Sequence, residues 1–270
     1  MAFFKRKQKR TAEKAEEEQA PRYLVANLQG LGAREGQEDA FTVANAFDAD
    51  LAREKGLFFA VCDGMGGMRD GKLASGTAIQ SLRQSFLNLD RSCDLAPQLE
   101  QSVLQASAEV KAQIGGDGGS TAVIGIVYQG GLYYASVGDS FLCLLRDGSL
   151  LRLNSEQTLR RQKYLEAIRD GDVDPLPLRE RPDGAALTRF LGMVGLDEAE
   201  CSVSPLPLEE GDVLLACSDG VGGVLSPAEI AQALQKPTPE EMCAELEELL
   251  VAHSEPNQDN YTAIVVKRIS

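Results

Sequence analysis

The sequence predicts an α+β fold built on antiparallel sheet, and three observations carry that prediction. Two long segments place apolar residues at helical spacing, Leu73, Ile79, Leu82, Phe86 and Leu87 in one and Leu99, Val103, Leu104 and Val110 in the other. Between Thr121 and Leu153 lie short β-rich runs separated by turn signals at Gln129-Gly130-Gly131, Val137-Gly138-Asp139 and Arg146-Asp147-Gly148, the pattern of an antiparallel meander, which excludes a parallel sheet there. No internal repeat and no long linker divides the 270 residues. One domain is therefore expected, with roughly ten strands and two pairs of helices that must cover sheet faces.

The elements follow in order. Arg22 to Leu28 and Ala40 to Phe47 read as strands around the polar turn Gly30 to Asp39, and Leu57 to Cys62 is a wholly apolar strand ending at Asp63. Helices over Lys72 to Leu89 and Leu95 to Ile114 come next, then a glycine-rich break at Gly115 to Gly119 and the meander. Residues 154–200 are polar, contain Pro175, Pro177 and Pro182, and offer one helix at Glu156 to Arg169, so they read as a long insertion. Val213 to Cys217 resumes the sheet, helices at Pro227 to Leu234 and Pro239 to Ala252 follow, and Thr262 to Arg268 closes it. Residues 1–20 hold six basic side chains and four glutamates, the mark of a charged, flexible tail, and 21–270 form the single folded domain.

Composition removes several chemistries. There are 41 acidic residues against 27 basic ones, a net charge of −14, and one histidine, His253. A Ser/His/Asp hydrolase or a histidine-rich zinc site finds little support in such a chain, and its acidity argues against binding nucleic acid. Neither a signal peptide nor an apolar run of membrane-spanning length is present, so no membrane span is expected. The six cysteines form no CxxC pair and read as free thiols of a reducing cytoplasm.

Carboxylates are what remains, and they sit in a shared context. Glu38-Asp39, Asp63, Asp219 and Asp259 each lie at or beside a strand end among small or turn-forming neighbours, and an apolar strand followed by Asp-Gly occurs twice, at Asp63-Gly64 and Asp219-Gly220. A single Asp-Gly usually marks a turn. Several together suit a hard divalent cation such as Mg²⁺ or Mn²⁺, because a strand tip holds a carboxylate rigidly and glycine lets a carbonyl approach the same point.

The ordered motifs Arg34-x-x-x-Glu38-Asp39, Asp63-Gly64-Met65-Gly66-Gly67, Gly119-Ser120-Thr121-Ala122, Gly138-Asp139-Ser140, Ser218-Asp219-Gly220 and Asp259-Asn260-x-Thr262 resemble the metal-dependent serine/threonine protein phosphatases of type 2C, in their bacterial form. The resemblance runs from about Arg22 to Arg268. It implies a four-layer α-β-β-α sandwich of two antiparallel sheets flanked by helix pairs, and hydrolysis of phosphoserine or phosphothreonine by water activated between two Mg²⁺ or Mn²⁺ ions about 3.5 to 4 Å apart. Carried onto this chain, Asp63 bridges the ions, the Gly64 carbonyl and, through water, Glu38 serve one, and Asp219 and Asp259 serve the other. Asp39 belongs to the metal set by orienting metal-bound water from behind, and Arg34 grips the substrate phosphate, for which a guanidinium fork is suited. Asp117 with Asp219 is the candidate for a third ion. The insertion at 154–200 becomes a flap beside the site, and the implied partners are phosphorylated proteins, a serine/threonine kinase and that kinase's targets in signal transduction.

The sequence departs from the family pattern at a few positions. Met65 replaces a histidine of the animal members, a change that the bacterial type shares, so metal-bound water must protonate the leaving group, and His253 is expected to be a surface residue at a helix end. Gln37 stands for the usual Asn, Phe141 for the usual arginine after Gly-Asp-Ser, and Val221-Gly222-Gly223 for larger or acidic residues. These departures keep open a catalytically weak or inactive regulatory module that binds phosphoproteins, and a hydrolase of small phosphoesters is a third reading. Asp170 to Asp174 imitates a calcium loop, but Pro175 and Arg181 occupy positions that require glycine and a bidentate acid, so a solvated turn is expected.

Overall fold

Successive residues of one strand face two different cores. In β3 (Leu57–Cys62), buried along its whole length, Leu57, Phe59 and Val61 join one apolar cluster, and Phe58, Ala60 and Cys62 join another. A computed structural model describes residues 22–66, 68–115, 118–171, 182–253 and 256–269. Within it β3 belongs to a sheet of order β10 (Glu200–Cys201), β7 (Gly131–Val137), β6 (Ala122–Tyr128), β3, β2 (Ala40–Ala44), with β11 (Leu206–Pro207) also pairing with β7. A second sheet runs β1 (Tyr23–Gly30), β13 (Tyr261–Arg268), β12 (Val213–Cys217), β8 (Phe141–Arg146), β9 (Ser149–Arg152). All their pairings are antiparallel.

The same alternation recurs in the second sheet. Leu142, Leu144, Leu214, Ala216, Ile264 and Val266 meet Phe59 and Val123 between the sheets, whereas Cys143, Leu215 and Val265 face outward. Each outer face is covered by helices. Over the first lie α2 (Met68–Asn88) and α3 (Leu95–Ile114), which bury Leu82, Phe86, Leu99 and Val103 on Phe58 and Ile124. Over the second lie α6 (Pro227–Ala233) and α7 (Pro239–Ala252), with Ile230, Leu246 and Leu250. The three clusters fill the three seams of an α-β-β-α sandwich, the architecture that the motifs imply.

Local chemistry fixes the helix ends. Asp94 caps α3 by accepting from Ala96 N, and Gly115, in the left-handed conformation at φ 71°, ends it. Ser226 and Glu229 form a capping box on α6, followed by Pro227 at the first helical position.

The chain between 121 and 153 differs from the expected meander. Hairpin β6–β7 lies in one sheet and hairpin β8–β9 in the other, with no pairing of β7 to β8. The crossover is at Gly138, whose φ of 99° and closeness to Thr121 leave no room for a side chain. Also unanticipated are α1 (Ala49–Lys55), which buries no residue, the two-residue pair β4 (Gly64–Met65) and β5 (Gly119–Ser120), the edge strands β10 and β11, and the short α5 (Asp219–Gly222). Within the insertion, α4 (Leu159–Arg169) matches the expected helix, a bridge from Thr158 to Leu187 closes the segment on itself, and one from Ser120 to Leu191 ties it to the sandwich. The readings placed on residues 1–21, on Asp117 and on Asp172 to Arg181 lie outside the described residues.

Candidate metal centre

The strand tips bring the predicted acids to one end of the seam between the sheets. Asp63 follows β3 directly and is held by the Gly-Ser-Thr motif. Its N–H donates to Thr121 Oγ1 at 3.0 Å, and its carbonyl accepts from Thr121 N at 2.8 Å and Ser120 Oγ at 3.0 Å. Glu38 is fixed through its backbone, which donates to Asn260 Oδ1 at 2.8 Å and accepts from Ser75 Oγ at 2.5 Å. Its carboxylate and the Gly64 carbonyl converge on the bare Cα of Gly71, where an added Cβ would stand 2.5 Å from Glu38 Oε2 and 3.0 Å from Gly64 O.

The second sheet contributes its acids just beyond β12 and just before β13. Asn260 spans the loops, donating from Nδ2 to Leu31 O and Gly36 O, while its own N–H donates to Asp259 Oδ1 at 2.8 Å. Ser218 donates from Oγ to Asp39 Oδ2 at 2.8 Å and accepts from Thr262 N at 3.0 Å, which orients a carboxylate that is only 6% exposed. Gln37 reaches back to Gly30 O and accepts the Asp39 N–H at 2.9 Å.

These acids face a cavity of about 630 Å³ lined by Arg34, Glu38, Asp63, Gly64, Met65, Asp139, Asp219 and Asp259, with Ala185 and Leu187 of the insertion at its border. Asp39 lies behind the lining. Crowding and burial hold protons on the cluster. Burial, then the charges of Asp39 and Asp219, pushes Asp63 well above the usual carboxylate range. Burial pushes Asp39 up to about 6 against the hydrogen bonds of Thr262 and Ser218, and pushes Asp139 up to about 7 with help from the charge of Asp219. Asp219 is raised by burial as well.

This donor set fits a hard divalent cation. It is all oxygen, and Oδ1 of both Asp39 and Asp219 is buried without a hydrogen-bond partner. Among the described residues no three acidic, histidine or cysteine side chains already form a ligand set. The carboxyl groups of Asp63 and Asp219 are close enough for the charge of each to act on the other, and Asp259 Oδ2 is 2.7 Å from Arg34 Nη2.

The structure thus brings together Arg34, Glu38, Asp39, Asp63, Gly64, Asp219 and Asp259, while Asp117 is outside the described residues. The Gly138-Asp139-Ser140 motif brings a further acid to the site. Asp139 lines the same cavity, at the crossover between the sheets, a place that a turn signal does not disclose. His253 ends α7 at the surface with Nε2 2.7 Å from Glu229 Oε1, as expected for a helix-end histidine.

A family model for protein phosphatase 2C matches residues 25–253. The serine/threonine phosphatase Stp of Listeria innocua is 27% identical over 80% of this chain and 86% of its own length. Among solved structures, the PPM Ser-Thr phosphatase MsPP of Mycobacterium smegmatis in complex with cacodylate superposes with a TM-score of 0.72 at 27% identity, covering 91% of this chain and 98% of that one. The catalytic domain of PstP in complex with two manganese ions superposes at 0.71 and 25% identity, over 93% of this chain and 99% of that one. The chain belongs to the protein phosphatase 2C family and is a metal-dependent serine/threonine protein phosphatase that acts on phosphoproteins. No helix among the described residues is long and apolar enough to cross a membrane.

Proposed function

We propose that Asp63, the Gly64 carbonyl, Glu38, Asp219 and Asp259 hold two Mg²⁺ or Mn²⁺ ions in the cavity, with Asp39 behind them and Arg34 receiving the substrate phosphate. The observation that carries this reading is the buried, unpartnered Oδ1 of Asp219 beside Asp63 and Asp139 in a cavity of oxygen donors. Bound there, such a pair of cations supplies an acidified water for attack on phosphorus and a positive field for the phosphoryl oxygens. The chain's own residues do the rest. Asp39, fixed through Oδ2 by Ser218, keeps Oδ1 free to accept a hydrogen from the attacking water. Arg34, now on Asp259, moves its fork to the phosphate, and the exposure of both partners makes that exchange cheap. Met65 lines the cavity where it can donate no proton, so the leaving alkoxide takes its proton from water.

Residues 21–270 act as one catalytic domain, with 1–20 as a charged tail and 154–200 as a flap whose Ala185 and Leu187 border the cavity. Asp117 with Asp219 takes a third ion. The partner is a serine/threonine kinase with its targets, and the cytoplasm as the place of action is supported by six free thiols.

The test is turnover of a phosphothreonine peptide with Mn²⁺, with EDTA, and by Asp63→Asn and Asp219→Asn. Each substitution should cost on the order of a thousandfold in kcat/KM, as expected for several kcal/mol of lost transition-state stabilisation. Turnover in EDTA, or turnover untouched by both substitutions, overturns the mechanism. Bound metal without turnover would mark a regulatory binding module, and preference for small phosphoesters a different substrate.

A further inference from the structure

The first residue of β8, Phe141, lies two residues after Asp139 and opposite Cys217, itself two residues before Asp219. Its ring therefore stands between two of the acid-bearing segments. Against it lies the guanidinium of Arg152, with Cζ 3.7 Å from the ring centroid. The backbone of Gly222 in α5 also lies against it, so close that any Cβ there would overlap the ring. Arg152 comes from β9, beside Cys143 of β8, and donates from Nη2 to the Asp139 carbonyl at 3.2 Å, with Glu156 Oε2 3.8 Å from Nη1. Its side chain is only 28% exposed, so its charge is partly withdrawn from water and is offset by the carbonyl, the ring face and Glu156.

Two departures from the family pattern, Phe141 and Gly222, are thus one arrangement, since the ring occupies the space that a side chain at 222 would need. We propose that Arg152, a residue outside every motif, is a positioning residue for the metal centre: through the Asp139 carbonyl and the Phe141 ring it sets how the Asp139 loop and the Asp219 turn stand relative to each other. The inference rests on the reading of Asp219 as a metal ligand. A planar guanidinium can stack and donate at once, which an ammonium cannot.

The experiment reads direct Mn²⁺ binding, from the electron paramagnetic resonance of free Mn²⁺, alongside thermal melting, for the wild type, Arg152→Ala, Arg152→Lys, Phe141→Leu and Asp219→Asn. Arg152→Ala should weaken Mn²⁺ binding about tenfold, the low end for residues that orient ligands. Arg152→Lys should recover only part of the loss, and Phe141→Leu should move in the same direction by a smaller factor. Wild-type Mn²⁺ affinity in Arg152→Ala, with only a lower melting temperature, overturns the proposal, as does full recovery by lysine. Should Arg152→Ala fail to fold, Phe141→Leu decides in its place. Unchanged Mn²⁺ binding in Asp219→Asn would instead overturn the underlying reading of the site.

Discussion

At position 71 the absence of one methyl group lets a carboxylate and a carbonyl meet. Gly71 lies inside α2, where glycine costs roughly 0.5 to 1 kcal/mol relative to alanine. Its Cα is where Glu38 Oε2 and Gly64 O converge. Gly71→Ala should therefore separate stability from function: metal-free protein should melt no lower than the wild type, while Mn²⁺ affinity in a calorimetric titration falls about tenfold. Equal affinity would show that Glu38 can yield without loss. At Arg34 the prediction concerns shape rather than charge. Arg34→Lys should raise KM for a phosphopeptide roughly tenfold in steady-state assays, because a point charge does not match a phosphate edge as a fork does. The acids at strand ends were legible one by one because each follows an apolar run or precedes glycine or asparagine. Asp139 was not, since its neighbourhood with Asp219 arises only when two distant strands pair.

Elements were legible where one environment dictates their whole length. Leu57–Cys62, Leu95–Ile114, Val213–Cys217 and Pro239–Ala252 have the boundaries read from the sequence, because a continuous apolar run or a capped apolar stripe admits little else. The helix Ala49–Lys55 escaped because it buries nothing and leaves no apolar period. The hairpin count failed at Val137-Gly138-Asp139 for a physical reason: a glycine at positive φ serves equally to reverse a strand and to carry it to another sheet. Removing the Ser226 hydroxyl tests the local part of this logic. Ser226→Ala should cost about 1 kcal/mol, read as a lower midpoint in urea with an unchanged slope. Mn²⁺-dependent turnover of the folded variant should stay at the wild-type level, since neither Ser226 nor Glu229 lines the cavity that the acids face.

For the whole molecule, the site sets how stability varies with pH. Asp139 and Asp39 hold protons up to about 7 and about 6 in the folded chain, above the usual 3.8, so the native state binds more protons than the unfolded one across that window. Metal-free protein should accordingly lose stability as pH rises from about 4 to about 7, and the melting temperature in EDTA should fall. Excess Mn²⁺ should reverse the trend, because ligation needs deprotonated carboxylates and binding stabilises the folded state. A flat or rising melting temperature in EDTA would contradict the burial described here. The six thiols bear on experiment in another way. Cys62, Cys143, Cys217 and Cys243 are buried, Cys201 is half-buried with its thiol pushed up to about 12, and Cys93 alone is exposed. A maleimide dye offered to the native protein would thus attach at a single place, in the turn between α2 and α3, and report on the enzyme from outside its active cleft without any engineered cysteine.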